Sequence, residues 1–437
     1  MSTLAEVRLW GRRIGAVFLD DGSDVAVFEY DADFARSGIE VSPLRMPLGG
    51  GPRAFSDLNP ATFHGLPGLL ADSLPDRYGH ALIDAWLAAQ GRSPDSFDAV
   101  ERLCYVGNRG MGALEFAPAL GPQLAPGEAV HIGRLVELAS EVLARREDLV
   151  ASLAAGERQQ AMHEILSVGT SAGGARAKAV IAWNRETNEV RSGQVDAGPG
   201  FEHWLLKFDG VDNNKDKDRV ADPRGYGSIE LAYSAMARDA GIAMTECRLL
   251  EEGGRRHFMT RRFDRDERGD KRHMQSLCGL AHFDFNAAGA YSYEQAFLVI
   301  RDLGLDHEAV EQLFRRMVFN VVARNQDDHV KNIAFLMDRG GGWSLAPAYD
   351  VTYAYQPDGR WTAAHQMSLN DKRDGFTYRD FREVGRRATL KRGRAESIVD
   401  EVRGTVSRWG EYAAAADVTE DHAAGVQRAL RLEFPRA

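Results

Sequence analysis

The sequence predicts an α+β protein of two lobes, preceded by a small N-terminal domain. Runs of β-branched and aromatic residues between Gly and Pro turns dominate the first half, whereas the apolar spacing beyond about residue 276 is mostly helical. Strands followed by helices, rather than alternating with them, are typical of α+β proteins. We therefore expect a domain at 1–120, a β-rich lobe at 125–275 and an all-α lobe at 276–437, with the site in the cleft.

The composition is that of an ordinary globular protein. Apolar residues make up 44% and charged residues 27% of the 437, and no tract approaches the roughly 18 consecutive apolar residues that indicate a membrane span. The net charge of −10 argues against a protein that binds nucleic acid through its overall electrostatic field. It does not exclude a local basic patch. Three distant cysteines without a CxxC pair indicate buried thiols in a reducing compartment. We therefore expect a cytoplasmic protein.

The first region is expected to begin with antiparallel strands. β-rich runs occupy 7–10, 14–19 and 25–28, and Asp-Asp-Gly supplies turn chemistry before the last of them. Residues 66–90 have the intermittent apolar face of a helix. The stretch 118–127, which contains Pro and Gly, then indicates a linker that closes the domain.

The second region mixes predicted helices with predicted strands. A helix is expected at 132–153, a strand–turn–strand over 165–183, a strand at 204–208, a helix at 229–240 and a further strand over 258–264. These elements frame two features that could bind a phosphate.

Glycines and small hydroxyl residues are concentrated at 167–175, between two of the predicted strands. Glycines let backbone N–H groups approach phosphate oxygens without obstruction by a Cβ. A plain glycine turn fits the same residues equally well, and the GxxxxGK[ST] pattern of a Walker loop is absent. Lys207 lies in the apolar strand WLLKF, where its charge must meet an anion or solvent. In a kinase such a lysine contacts the ATP phosphates, and the alternative is a lysine on an edge strand.

The most informative segment is NQDDHVKN at 325–332. Helix 309–323, whose apolar residues recur at i, i+3, i+4 and i+7, delivers the chain directly to it. Two short apolar strands, 333–337 and 343–345, are joined by a glycine turn and are expected to fold back as a hairpin. This hairpin would bring Asp350 beside the segment.

Asp327, Asn332 and Asp350 have the spacing of a phosphoryl-transfer site. In kinases an acid accepts the proton of the substrate hydroxyl, while an Asn five residues later and a second acid hold Mg²⁺ against the ATP phosphates. A solvated polar loop with an Asp cap is the structural alternative. The helix before the loop and the hairpin after it both favour the site, because rigid elements on each side would fix its geometry.

Four segments, TSAGGARAK, HWLLKFD, NQDDHVKN and LAPAYDV, resemble those of the HipA family, bacterial serine/threonine kinases that act as toxins of type II toxin–antitoxin systems. GLLADSLPDRYG and VGNRGMGALEF resemble segments of the family's N-terminal domain, so the resemblance extends over nearly the whole chain. It implies a protein-kinase-like fold with ATP and Mg²⁺ as cofactors.

The resemblance also assigns roles to individual residues. Asp327 matches the catalytic acid, Asn332 and Asp350 match the Mg²⁺ ligands, and Lys207 matches the phosphate lysine. The ATP-binding loop would comprise Val168, Gly169, Thr170, Ser171, Ala172, Gly173 and Gly174. Ser171 aligns with a serine that family members autophosphorylate, which expels the loop and inhibits the kinase. Nearly two added negative charges cannot share a loop shaped for ATP phosphates, although the neighbouring hydroxyls Ser167 and Thr170 leave the modified residue open.

Four further positions keep two interpretations each. Glu230 could pair with Lys207 or be a surface acid. His329 is expected to order the loop by hydrogen bonding rather than to bind metal, because no second His lies at ligand spacing. Lys331 could steady the transferring phosphoryl group or be solvated. Asp328 could raise the pKa of Asp327 or bind solvent.

The resemblance implies a toxin that phosphorylates a cytosolic protein, such as an aminoacyl-tRNA synthetase, and arrests growth. It implies a HipB-like helix-turn-helix antitoxin as partner, through which most DNA contact would be made. The basic run at 386–394 could touch DNA or an acidic partner, but a solvated helix face is the favoured interpretation. Two other functions stay open: a kinase of a small-molecule hydroxyl, and a nucleotide-binding regulatory module of a repressor complex.

Overall fold

The computed structural model describes residues 2–122, 130–144, 164–166, 168–169, 177–211 and 225–435. The chain forms two compact units, each assembled from separate stretches of sequence. The N-terminal unit comprises Met1–Arg224, Leu250–Gln275 and Met337–Gly341. The C-terminal unit comprises Gly225–Leu249, Ser276–Leu336 and Gly342–Ala437.

A four-stranded antiparallel sheet opens the N-terminal unit. Its order is β3-β2-β1-β4, and its strands are β1 (Thr3–Leu9), β2 (Arg12–Leu19), β3 (Val27–Tyr30) and β4 (Leu114–Ala117). Trp10 and Gly11 join β1 to β2 with φ angles of 51° and 77°. Two consecutive residues of positive φ make the tight turn that matches the twist of paired strands. The strands predicted for this region are therefore confirmed.

Short helices follow the first three strands: α1 (Ala32–Ala35), α2 (Pro60–Phe63), α3 (Gly68–Ala71), α4 (Arg77–Ala89) and α5 (Ala99–Val106). The single helix predicted over 66–90 is wrong, since α3 and α4 are separate. Pro75 lies between them, and a proline lacks the N–H of a helical hydrogen bond and disfavours helical backbone in the residue before it. Asp76 then begins α4 as its cap, accepting from the N–H of Gly79 at 2.8 Å.

A five-stranded sheet of order β6-β5-β7-β9-β8 follows. Its strands are β5 (Lys178–Trp183), β6 (Val190–Ser192), β7 (Glu202–Lys207), β8 (Cys247–Glu252) and β9 (Arg255–Arg261). Apolar side chains of the sheet share one core with α4 and with α6 (Ile132–Ala144). The strand predicted near residue 165 is wrong because residues 164–166 are helical, and the predicted helix beyond residue 144 falls outside the described residues.

The C-terminal unit is mainly helical. Its helices are α7 (Tyr226–Asp239), α8 (Leu277–Ala281), α9 (Tyr293–Asp302), α10 (His307–Val322), α11 (Tyr378–Arg387), α12 (Arg394–Val406), α13 (Trp409–Ala415) and α14 (Glu420–Ala429). β10 (His273–Ser276) leads the chain into this unit, and β11 (Ala334–Met337) and β12 (Trp343–Leu345) form the predicted hairpin. These strands correct the expectation that the region from 276 onward is all-α.

α10 is the central helix of this unit and packs against α12. Asp306 begins it by accepting from the N–H of Ala309 at 3.0 Å. Its apolar residues are buried almost without exception, among them Leu313, Phe314, Met317, Val318, Phe319, Val321 and Val322. The strict apolar spacing seen in the sequence is therefore the buried face of a core helix, and its C-terminal end is held in a fixed place.

Replacing Phe319 with Ala tests how far this core determines stability. Phe319 is 0% exposed and its ring meets that of Tyr233 edge-on, so its removal leaves a cavity. We expect the free energy of unfolding to fall by about 3–5 kcal/mol. Leu298→Ala is the matched control, because Leu298 is 46% exposed and should cost no more than about 1 kcal/mol. Urea unfolding would measure both, and equal losses would contradict the packing described.

Candidate active site

Asp327 lies in a loop that is hydrogen-bonded to α10 before it and to the segment after the hairpin. The N–H of Asn325 donates to the carbonyl of Asn320 at 2.9 Å, which caps the end of α10. The N–H of Gln326 donates to the carbonyl of Ala354 at 3.1 Å. Because backbone bonds fix the two residues directly before Asp327, the backbone of Asp327 is held by its neighbours rather than lying in a free loop.

Arg324 makes the sharp turn from the helix into this loop. Its φ of 58° is uncommon for a residue with a side chain and costs on the order of 1 kcal/mol or more. Its guanidinium lies 4.1 Å from the ring centroid of Tyr355 and donates to the carbonyl of Ala429 at 2.7 Å. These contacts offset the strain and hold the turn.

The side chain of Asn332 is oriented by the backbone of Asp327. Its Nδ2 donates to the carbonyl of Asp327 at 2.9 Å, and its own N–H donates to the carbonyl of His329 at 2.9 Å. With Nδ2 engaged in this way, Oδ1 is the atom of the amide that can act as a ligand. The structure therefore brings Asn332 directly to Asp327, as the spacing predicts.

Asp350 follows the hairpin and has a left-handed backbone, with φ of 54°. The hydroxyl of the preceding Tyr349 donates to the carbonyl of Lys331 at 2.6 Å. Asp350 directly follows the donor of this hydrogen bond, and Asn332 directly follows its acceptor. The hairpin therefore brings the backbone next to Asp350 and the backbone next to Asn332 close enough to be bridged by the side chain of Tyr349.

The two predicted ligands, Asn332 and Asp350, are oxygen donors of the kind that suits a hard cation sharing its coordination with another molecule. Across the described ranges, no cluster of three or more His, Cys, Asp or Glu side chains could hold a metal ion alone. Mg²⁺ commonly takes one or two carboxylates, keeps several waters and binds substrate phosphates as well. The Asn332 amide and the Asp350 carboxylate suit that incomplete set.

Asp328 is a buried anchor of the loop. Its carboxylate accepts from Tyr293 Oη at 2.8 Å, from His365 Nδ1 at 2.8 Å and from the N–H of Gln366 at 2.7 Å. Burial alone would raise the pKa of Asp328, but the His365 ring and these hydrogen bonds hold that pKa below its usual value. Of the two interpretations of Asp328, the one in which it binds solvent is therefore wrong, because its side chain is only 1% exposed.

His329 and Lys331 both lie against the ring of Phe285. The ring centroids of His329 and Phe285 are 5.7 Å apart, and Lys331 Nζ is 4.9 Å from the same Phe285 centroid. His329 Nδ1 is buried without a hydrogen-bond partner among the described residues. Ring packing, rather than a hydrogen bond of that atom, orders His329, and the role of Lys331 stays a prediction.

Lys207 ends β7 in the N-terminal unit and is buried. Because β7 lies between β5 and β9, the alternative of a lysine on an edge strand is wrong. Its Cα is paired across the sheet with that of Lys178, whose ammonium lies 3.0 Å from the carboxylate of Asp76. The charge of Lys178 is thus met by Asp76, and the role of Lys207 at the ATP phosphates stays a prediction.

Only two residues of the predicted ATP-binding loop are described. Val168 is buried, and a Cβ on Gly169 would lie 2.6 Å from Leu82 Cδ1 and 2.7 Å from the carbonyl of Ile165. Gly169 is therefore required by packing, whatever else the loop does. The remaining positions lie outside the described residues: Ser167, Thr170, Ser171, Ala172, Gly173 and Gly174.

Glu230 is buried, whereas the basic run at 386–394 is mostly exposed, which agrees with a solvated helix face. Glu230 lies in α7 and is 1% exposed, so the interpretation as a surface acid is wrong. At the end of α11, Arg386 and Arg387 pair with Glu383. Arg394 pairs with Glu311 at 2.9 Å. Much of the positive charge of 386–394 is thus neutralised by neighbouring acids.

Comparison with known proteins decides the family. The family model described as the HipA-like C-terminal domain matches residues 170–409, which is more than half of the chain. The chain belongs to the HipA family. The model described as the HipA N-terminal domain matches residues 5–117, so the two matches together cover most of the sequence.

Individual relatives are distant. One relative is a Haemophilus influenzae protein provisionally named a kinase. It is 26% identical to this chain over 159 residues, and the match covers 33% of this chain and 46% of that protein. The chain thus spans about half the length of the curated relative it matches. In the Shewanella oneidensis complex of HipA, HipB and operator DNA, one chain aligns with 97% of this chain and 94% of its own length, at 18% identity and a TM-score of 0.67. That likeness shows a shared fold.

The Helicobacter pylori proinflammatory kinase CtkA aligns with 52% of this chain and 92% of its own length, at 13% identity and a TM-score of 0.30, which supports no conclusion. No helix in the described part of this HipA-family chain combines the length and hydrophobicity needed to span a bilayer.

Sequence reasoning missed the residues that anchor the loop of this HipA-family protein. Tyr293 lies 35 positions from Asp328 and His365 lies 37 positions from it. Neither belongs to a segment with a recognisable motif. The only signal in the sequence for these anchors was Asp328 itself, the acid directly after the candidate catalytic Asp. A buried carboxylate at that position needs hydrogen-bond donors from elsewhere in the chain.

Proposed function

We propose that this chain is an ATP- and Mg²⁺-dependent protein kinase that phosphorylates serine or threonine and acts as the toxin of a type II toxin–antitoxin pair. The observation that carries the proposal is the arrangement of Asp327, Asn332 and Asp350 on one anchored loop and hairpin, in a chain of the HipA family. An acid with two oxygen ligands beside it suits phosphoryl transfer to a hydroxyl.

Each residue has a distinct role in this proposal. Asp327 orients the acceptor hydroxyl and takes its proton. Asn332 Oδ1 and the Asp350 carboxylate hold Mg²⁺, which supplies charge neutralisation to the ATP phosphates when bound. Lys207 pairs with the phosphates through its ammonium, and Lys331 supports the transferring group. The protein contributes mainly position and fixed charge, because this reaction requires little covalent chemistry from the enzyme.

We further propose that the loop at 167–175 covers the phosphates and that Ser171 within it is autophosphorylated. A phosphoserine adds about −1.5 to −2 charges, which repel the phosphates of ATP and displace the loop. Neighbouring hydroxyls at Ser167 and Thr170 are the other candidates. This modification would switch the kinase off.

The proposed partners follow from the family and from charge. A HipB-like helix-turn-helix antitoxin would bind this chain and make most of the DNA contact, which agrees with a net charge of −10 on the chain itself. A HipA chain of the same fold stands in a complex with HipB and operator DNA. The acceptor would be a cytosolic protein, for example an aminoacyl-tRNA synthetase.

We retain the division of the chain into three domains at 1–120, 125–275 and 276–437 as part of the proposal.

Incubation of the purified chain with labelled ATP tests the function. With Mg²⁺ we expect label on the chain itself and on a protein of a bacterial lysate, and with a chelator in place of Mg²⁺ we expect none. Mass spectrometry of the labelled chain should place its phosphate within residues 167–176. Absence of transfer to any acceptor would contradict the kinase proposal, and label that appears only in small molecules would replace it with a metabolic kinase.

A further inference from the structure

A network of buried and partly buried polar side chains joins Asn325 to Asp328, which lie on either side of Asp327 in the sequence. On the N-terminal side, Asn325 Nδ2 donates to Asn320 Oδ1 at 2.9 Å, and Asn320 Nδ2 donates to Tyr293 Oη at 3.0 Å. Tyr293 Oη in turn donates to Asp328 Oδ2 at 2.8 Å. The residue two positions before Asp327 and the residue directly after it therefore belong to one hydrogen-bonded network.

The same network continues through His365. Its Nδ1 lies 2.8 Å from Asp328 Oδ2 and its Nε2 lies 3.0 Å from a guanidinium nitrogen of Arg431. A carboxylate only accepts hydrogen bonds and a guanidinium only donates them. These two neighbours assign the proton to Nδ1 and leave Nε2 as the acceptor, so they select one neutral tautomer of the ring.

Arg431 fixes the far end of the network. Its backbone N–H donates to the carbonyl of Val322, the last residue of α10, at 2.9 Å. Its guanidinium also pairs with the carboxylate of Asp374 and lies 5.3 Å from the ring centroid of Phe376. The segment after α14 is thus tied both to the end of α10 and, through His365, to the loop that follows α10.

We infer that His365 is a positioning residue that sets the orientation of Asp327 through Asp328. This inference rests on the proposed function, in which Asp327 must face the acceptor hydroxyl. Asp328 is the next residue in the chain, so any rotation that follows the loss of its bond to His365 also turns the backbone of Asp327. A misplacement of about 1 Å at the reacting atoms can cost about 10²-fold in rate.

Two substitutions of similar size separate this role from packing. In His365→Asn, the amide nitrogen takes the place of Nδ1 and can still donate to Asp328. In His365→Gln, the longer side chain places its amide near the former Nε2, beside Arg431, and the donor to Asp328 is lost. Both remove the ring whose centroid lies 5.5 Å from that of Phe376, so the two variants are matched for lost packing.

The expected result is a split between the two variants. His365→Asn should keep kcat within about threefold of the wild type, whereas His365→Gln should lower kcat by about 10–100-fold, the size of effect known for residues that orient catalytic groups. The KM for ATP should change little in either, because neither touches a proposed ATP ligand. Asp328→Asn should reproduce the kcat loss, since in either orientation its amide nitrogen would face a donor, either the N–H of Gln366 or the groups of Tyr293 and His365.

Equal kcat losses in His365→Asn and His365→Gln would show that the ring acts by packing and would overturn the inference. Full activity in both would overturn it as well. Thermal unfolding of each variant shows whether a rate loss reflects misfolding, and the His365 pair decides the question even if Asp328→Asn does not fold. A wild type that transfers no phosphoryl group would instead overturn the proposed function, so the two failures are distinguishable.

Discussion

Replacing Asp327 with Asn is expected to lower phosphoryl transfer by about 10²–10⁴-fold, the contribution typical of a positioned acid–base group. Asn has nearly the same shape as Asp but cannot take the proton of the acceptor hydroxyl. The backbone carbonyl of residue 327 would still accept from Asn332 Nδ2, so the proposed metal ligand keeps its orientation. The loss should therefore appear in kcat with little change in the KM for ATP, as measured with labelled ATP and a fixed protein acceptor.

Asp338→Asn is the matched control for this change. Asp338 lies at the turn of the β11–β12 hairpin, where it is exposed and accepts from the N–H of Gly340 at 2.8 Å. An Asn can accept the same bond, so activity and stability should stay close to those of the wild type. Unchanged transfer by Asp327→Asn would remove Asp327 from its assigned role, and equal losses in the two variants would point to a general charge effect.

The surroundings of Asp327 could be predicted from the sequence because their signals are local. The apolar spacing over α10 predicts a helix and its approximate length, and the polar residues that follow predict where this helix ends. The glycine turn between two short apolar runs gives the β11–β12 hairpin, and a hairpin must return the chain to its starting point. These two elements return the chain from Asn332 to Tyr349, whose hydroxyl donates to the carbonyl of Lys331, and so to the neighbouring Asp350.

The anchors of that loop could not be predicted, because they depend on contacts between distant parts of the chain. His365 and Arg431 are 66 residues apart in the sequence and share one hydrogen bond. Nothing in the sequence distinguishes Asp328 from a solvated acid until its donors are known. The residues assigned to the proposed reaction come from local spacing, whereas the residues that anchor their loop come from long-range contacts that spacing does not reveal.

Two wrong predictions of secondary structure each have a physical cause. A short apolar run such as that around residue 165 fits a strand or a buried helical turn equally well, and tertiary packing decides between them. The continuous helix predicted over 66–90 ignored Pro75, whose effect on the backbone outweighs the apolar spacing on either side of it. Neither error affected the loop and hairpin around Asp327, but the first changes the element that precedes the predicted ATP-binding loop at 167–175.

Replacing Asp350 with Asn is expected to raise the Mg²⁺ concentration needed for half-maximal transfer by at least about tenfold, since a factor of ten requires the loss of only about 1.4 kcal/mol of binding free energy. An amide oxygen carries no net charge and attracts a hard dication less strongly than a carboxylate. Saturating Mg²⁺ should restore part of the rate. A titration of transfer against Mg²⁺ at fixed ATP would measure the shift, with Asp358→Asn, an exposed loop acid, as the control.

Asn332→Asp separates metal binding from orientation at the second ligand. The new carboxylate offers a stronger ligand than the amide, so the Mg²⁺ requirement should not rise. It cannot donate to the carbonyl of Asp327, however, and the two oxygens would repel each other across the 2.9 Å that now holds a hydrogen bond. We therefore expect a lower kcat at saturating Mg²⁺, the opposite of the Asp350→Asn behaviour. If both variants shifted only the Mg²⁺ titration, the bond from Asn332 to Asp327 would have no part in orienting the catalytic acid, and ligand supply would be the whole role of Asn332.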